Sequence, residues 1–236
     1  MRFPLRWMLV VTFLAAAPTP AFAQLPFFLL AVLERGMGSP LLLTNPGVQR
    51  EIRLTPEQRD KFREIVKDVS DKYQPDLEKT EGDKKKMLLV GYRFAKEMSE
   101  KINKAIPDVL QPEQARRLRQ IEIQVNGIIS LNKPDVQKRL DLTDRQHDEI
   151  KAIGDQFKRD VIKIVNDTSD SLSQDRPLLS ARNVLRAYRT VRVKSEVATE
   201  KALARLTDEQ RKTWREMTGE PFVFRIELPF GPGARP

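Results

Sequence analysis

The sequence predicts an all-α protein made of duplicated long helical hairpins with short capping helices. Three observations carry that prediction. Apolar residues recur at i, i+3, i+4 and i+7 over several long stretches, the spacing that lays one apolar stripe along a helix. A helix-start pentad occurs at Leu54-Thr55-Pro56-Glu57-Gln58 and returns at Leu142-Thr143-Asp144-Arg145-Gln146 and Leu206-Thr207-Asp208-Glu209-Gln210, with a worn copy at Leu110-Gln111-Pro112-Glu113-Gln114. Nothing between Val48 and Gly219 alternates as a strand does, and only 10 of the 236 residues are glycine.

Taken in order, residues 1–23 read as a secretory signal peptide. Arg2 and Arg6 form the charged start, Met8 to Ala17 the apolar run, and Ala21-Phe22-Ala23 the small-residue cleavage site. The competing reading is an uncleaved anchor reaching through Leu25 to Leu30. Pro18 and Pro20 interrupt it, and neither apolar run approaches the roughly 20 residues of a spanning helix. Residues 24–47 read as an apolar N-terminal arm with Gly36, Gly38 and Pro40.

The pentad is a helix start. Thr takes the N-cap, where its hydroxyl accepts from an otherwise unpaired N–H, and Gln three residues on reaches back to the N–H of the cap. Pro56 and Pro112 occupy the first helical position, where a missing N–H costs nothing. The acids of the first turn suit the helix dipole. Gln111 lacks the cap hydroxyl. A generic cap explains one copy, but four copies need another cause.

The copies are related by fixed offsets. At an offset of 88 residues, Leu43, Pro46, Val48, Gln49, Leu54, Thr55 and Gln58 meet the same residue types in the second half. At an offset of 96, Leu110, Glu113, Gln114 and Arg119 do so. The pattern is a duplication with a small insertion: a first unit over 48–130, a second over 131–220, and an extended tail over 221–236.

Each unit reads as two long helices and a short one. Phe62, Ile65, Val66, Val69, Tyr73 and Leu77 form the first stripe, and Thr80 to Asp83 the turn. Met87, Gly91, Ala95, Met98, Ile102 and Ala105 form the second, with Pro107 marking its end. Ala115, Leu118, Ile121, Val125 and Ile128 follow, until Asn132 and Pro134 interrupt. In the second half the outgoing stripe is Ile150, Ile153, Phe157, Val161, Ile164, Thr168 and Leu172. Ser171 to Pro177 make the turn, and Ala181, Val184, Tyr188, Val191, Ala198 and Ala202 the return. Trp214 and Met217 belong to the last short helix. Phe222, Phe224, Ile226, Leu228 and Phe230 then alternate as an extended segment with one apolar edge, packed along the helices or free to meet a partner. Gly231 to Pro236 read as disordered.

The pentads and their helices, over about Val48 to Phe222, resemble the LTxxQ-motif family of the Spy/CpxP type, small all-helical periplasmic chaperones and stress regulators. The resemblance implies a cradle-like arrangement of hairpins, binding of unfolded or envelope proteins without ATP, no cofactor and no catalysis. Relatives of single-unit length form cradle dimers, so this chain is expected as a two-unit monomer or a homodimer. Its motif residues are Leu54, Thr55, Gln58, Leu110, Gln114, Leu142, Thr143, Gln146, Leu206, Thr207 and Gln210.

Residue chemistry points the same way. There is no cysteine, which removes disulfides, thiol catalysis and a lipidated N-terminus. His147 is the only histidine and reads as a surface residue of a first helical turn. The family's metal sensors need His- or Met-rich ligand sets, and here the methionines beyond the signal are dispersed. No phosphate loop or nucleophile elbow occurs.

Net charge +9 would suggest nucleic acid in a cytoplasmic chain. In an exported one, anionic membrane surfaces or acidic unfolded proteins are the expected partners, and nucleic acid is disfavoured. Between Arg176 and Ser195 six cations (Arg176, Arg182, Arg186, Arg189, Arg192 and Lys194) stand without an acid. Arg182, Arg186 and Arg189 share one helix face, opposite Val184, Tyr188 and Val191. A charge run is usually a solvated face, but such faces normally mix signs. Arg116, Arg117 and Arg119 make a smaller cluster. Arg182, Arg186, Arg189, Arg192, Arg116 and Arg117 are therefore the candidate client-binding residues. The sequence leaves a chaperone-like binding module and a structural envelope protein as the two readings.

Overall fold

A computed structural model of the chain describes residues 38–80, 83–170 and 177–224. The expected signal peptide, most of the apolar arm, the tips of both turns and the tail beyond Phe224 lie outside the described residues. Among the described residues there are ten helices and no strand. The chain divides into two compact units, Ser39–Leu118 with Phe224, and Arg119–Val223. The sequence divides its repeats after residue 130, whereas the packing boundary falls after Leu118. The apolar second half of the helix that spans the boundary supplies Ile123 to the core of the second unit, so residues 119–130 belong there.

The first unit opens with α1 (Ser39–Thr44) and α2 (Pro46–Glu51). The described end of the expected apolar arm, from Ser39 on, is helical. Leu42, Leu43 and Val48 are buried, and α1 packs on the second long helix. Asn45 caps α2, its Oδ1 accepting from the Val48 N–H at 3.1 Å.

The long helices α3 (Pro56–Glu78) and α4 (Lys84–Val109) pack antiparallel. Their direction follows from contacts at both ends: Gln58 reaches Val109, and Lys72 pairs with Glu97 at 2.7 Å. Phe62, Val69, Met98 and Ile102 are buried between them, and the Tyr73 ring meets Phe94 edge-on. Two stripe members face outward instead: Ala95 and Leu77 are exposed. Pro107 does not end α4, which continues to Val109. Only the missing proline N–H is lost there, and the Leu110 N–H still closes the last turn onto the Ile106 carbonyl.

Helix α5 (Pro112–Asn126) ends earlier than its stripe implied, at Gly127. Gly127 has φ +46°, and a Cβ there would sit 2.4 Å from Thr199 Oγ1, so glycine answers both a backbone and a space requirement. The next N–H, of Ile128, donates to that hydroxyl at 2.8 Å.

In the second unit α6 (Ile128–Leu131) and α7 (Pro134–Leu140) precede the long pair α8 (Asp144–Asp170) and α9 (Pro177–Leu203). These two also run antiparallel, with Lys194 on Asp160 at 2.7 Å. Ile128, Leu131, Val136, Leu140, Ile150, Phe157, Val161, Val191, Ala198 and Ala202 form one core, closed by Trp214 and Met217 of α10 (Asp208–Thr218). The chain then leaves helix. Gln124 Oε1 accepts from the Phe222 N–H, and its Nε2 donates to the Thr218 and Glu220 carbonyls.

Candidate functional site

Two arrangements are candidates: the pentads and the outer face of α9. The pentad begins before its helix. Helix α2 ends in a Schellman turn, where the Arg53 N–H donates to the Arg50 carbonyl and the Leu54 N–H to that of Gln49. Arg53 stands at φ +52° as the left-handed residue. Helix α7 ends the same way, with Asp141 at φ +52° and the Leu142 N–H on the Gln137 carbonyl. Leu54 and Leu142 are thus each the residue after a left-handed turn, and the next residue is already the cap of the following helix. Leu54, Leu110 and Leu206 are buried and Leu142 half-buried.

The caps form the expected box at three copies. Thr55, Thr143 and Thr207 accept through Oγ1 from the N–H groups of Gln58, Gln146 and Gln210 at 3.3, 3.3 and 3.2 Å. The glutamine oxygens accept in return from the threonine N–H groups at 3.0, 3.1 and 2.9 Å. At the worn copy half of the box remains, with the Gln111 N–H on Gln114 Oε1 at 2.9 Å.

The glutamines do more than cap. Gln58 Nε2 donates to Gln114 Oε1 at 2.7 Å and Gln114 Nε2 returns to Gln58 Oε1 at 3.0 Å. Gln58 also donates to the Val109 carbonyl near the end of α4, and Gln114 to the carbonyls of Ile52 and Arg53. In the second unit Gln146 and Gln210 make the same reciprocal pair at 2.8 and 3.0 Å. There Gln146 donates to the Arg205 carbonyl and Gln210 to that of Asp141. Each pair fastens two helix starts, a Schellman turn and the end of the returning helix through neutral amides that both donate and accept. The repetition of glutamine was visible in the sequence, but its reach to another copy was not, because a capping box accounts for glutamine without it.

The arginines separate into two groups. Arg182, Arg186 and Arg189 are exposed on α9, and among the described residues no ion pair to any of them is present. Arg192 is exposed and bonded to Glu196 at 2.9 Å, and Lys194 is held by Asp160. The smaller cluster is not a free cationic patch. Arg117 lies on Glu51 at 2.6 Å, Arg119 bridges Glu122 and Asp135, and only Arg116 is fully outward.

Inward from α9 face Ala187, Val191, Ala198 and Ala202, with Tyr188 half-buried and its hydroxyl pKa raised by that burial. Val193 and Val197 face outward, 58% and 44% exposed. Sequence reasoning passed over them because apolar residues were assigned to the core side. Their spacing from Arg182, Arg186 and Arg189 was the available signal. At about 100° per residue all five fall within about 80° of arc.

Among the described residues no group of His, Asp and Glu is placed to hold a metal, and no helix is long and apolar enough to cross a membrane. Comparison with family models, curated proteins and solved structures finds no match.

Proposed function

We propose that the chain is an exported, ATP-independent chaperone-like or envelope-stress binding protein, built from two duplicated LTxxQ units, that holds unfolded or partner proteins on a cationic and apolar helix face. The observation that carries the reading is the outer face of α9, where three arginines without acid partners among the described residues lie beside two exposed valines. Arginine and aliphatic groups together bind disordered chains weakly, through screened charge attraction and modest apolar contact. The matched Schellman turns, capping boxes and glutamine pairs at offsets of 88 and 96 residues support the duplication and the family resemblance. Export rests on the first 23 residues, with cleavage near Ala23.

The test is light scattering from an aggregating client protein, with no nucleotide present. Suppression at near-stoichiometric amounts is the expected result. Unchanged aggregation at a large excess of the chain would remove the chaperone reading and leave a structural envelope role.

A further inference from the structure

We propose that the outer face of α9 docks a short extended polypeptide segment whose acidic and aliphatic residues are segregated, acids over Arg182, Arg186 and Arg189 and aliphatic residues over Val193 and Val197. This rests on the binding-module reading above and names the client segment it selects.

The face is a poor fit to ordinary surface design. Exposed helix positions favour straight-chain residues, and valine loses side-chain freedom there without gaining burial. Other long helices carry opposite charges within a turn, as Lys67–Asp71 on α3, Lys96–Glu100 on α4 and Lys151–Asp155 on α8 do, and on α9 only Arg192–Glu196 does so among the described residues. On α9 the cations stand at one end and the valines follow. From Arg182 to Val197 the face runs about 22 Å, at about 1.5 Å per residue, which about seven residues of extended chain would cover.

Charge order along the face decides between partners. Glu196 and Glu200 are exposed beyond the arginines, at the edge and the centre of the same arc. An anionic bilayer lying along α9 would meet those carboxylates together with the arginines, and repulsion at one end would offset attraction at the other. A polypeptide can change sign and polarity along its length. The arrangement therefore complements an acidic–aliphatic segment better than a uniform anionic surface.

Fluorescence anisotropy with the full chain tests this. The probe is a labelled peptide of about seven residues, acidic in one half and aliphatic in the other. Its control has the same composition with the two kinds alternating. At low ionic strength the segregated peptide should bind about threefold more tightly. Arg182→Gln, Arg186→Gln and Arg189→Gln together should weaken it about tenfold, an effect that fades in high salt. Val193→Ser with Val197→Ser should cost about fivefold, and thermal melts should confirm that both variants fold. Equal binding of the two peptides, or no loss in the arginine variant, overturns the proposal. So does tighter, equally arginine-dependent binding to phosphatidylglycerol vesicles, which would make a membrane surface the partner. If the chain suppresses client aggregation while either negative result holds, α9 is not the docking face, and the chaperone activity stands on another surface. Failure in both assays removes both.

Discussion

At the scale of single residues, the motif glutamines matter more than the threonines beside them. Thr55→Ala or Thr143→Ala removes one acceptor from an exposed helix start and should lose about 1 kcal/mol in urea unfolding. Gln111→Ala has no cap hydroxyl to lose and should change stability much less; equal losses at all three would show that capping does not explain the threonine. Gln58→Ala removes the side-chain donor to the Val109 carbonyl, both bonds of the reciprocal pair with Gln114 and the acceptor of the Thr55 N–H, and should cost about 2 kcal/mol or more. A double-mutant cycle between Gln58 and Gln114 should return positive coupling, and additive losses would contradict the reciprocal pair. Arg53 and Asp141 sit in a conformation that glycine adopts without penalty. Arg53→Gly and Asp141→Gly should therefore raise the free energy of urea unfolding by about 1 kcal/mol each. Neither site carried a glycine to announce a helix end, so these two turns were not legible in the sequence. Gly127 was equally silent, since its requirement comes from Thr199, far along the chain.

At the scale of helices, period and caps were legible and termini were not. The stripes at Phe62, Val69, Met98 and Ile102, and at Ile150, Phe157 and Val161, became buried faces because burial follows the 3.6-residue period. Proline was a weaker guide: at Pro107 the last turn lacks one hydrogen bond and persists. The short α1 was hidden because six residues are too few to show a period. Between α3 and α4, the Lys72 ammonium and the Tyr73 hydroxyl both donate to Glu97, and together they hold its carboxyl below the ordinary glutamate range. A carboxylate favoured in the folded state stabilises above its unfolded pKa, and that contribution fades as pH falls through the lower folded value. Acid titration of stability should thus be shallower in Glu97→Gln than in the parent, and identical slopes would mean the pair contributes nothing. The helices also differ in charge. Lys96 and Lys101 on α4 have Glu100 and Glu97 nearby. Neutralising Lys96, Lys101 and Lys104 should therefore reduce client binding less than neutralising the three arginines of α9. Equal effects would mean that net charge alone governs binding.

At the scale of the whole chain, the all-helical class was legible because three signals agreed: period, caps and the absence of alternation. The division into units was less so. Offsets of 88 and 96 residues mark which segments correspond, but compactness follows packing, and α5 gives its two halves to different units. The candidate binding face was half legible. Six cations without an acid are plain in the sequence, whereas the outward valines depend on which side of α9 meets α8, a tertiary fact.

The glutamine pairs set one further property, the reach of the hairpins. Each pair lies at the closed base of two long helices, away from the turn that joins them. The paired residues are 56 positions apart in the first unit and 64 in the second, a difference of 8. The outgoing arm takes four of those residues, from 23 in α3 to 27 in α8, which is about one turn or about 6 Å of extra projection, while the returning arm grows from 26 residues to 27. The added turn rotates the outgoing apolar stripe by only about 40°, so the arms can still face one another. Growth at the tip leaves every hydrogen bond at the base untouched. The motif thereby separates what must stay constant from what can vary, and length becomes a dimension along which such a chain can be retuned.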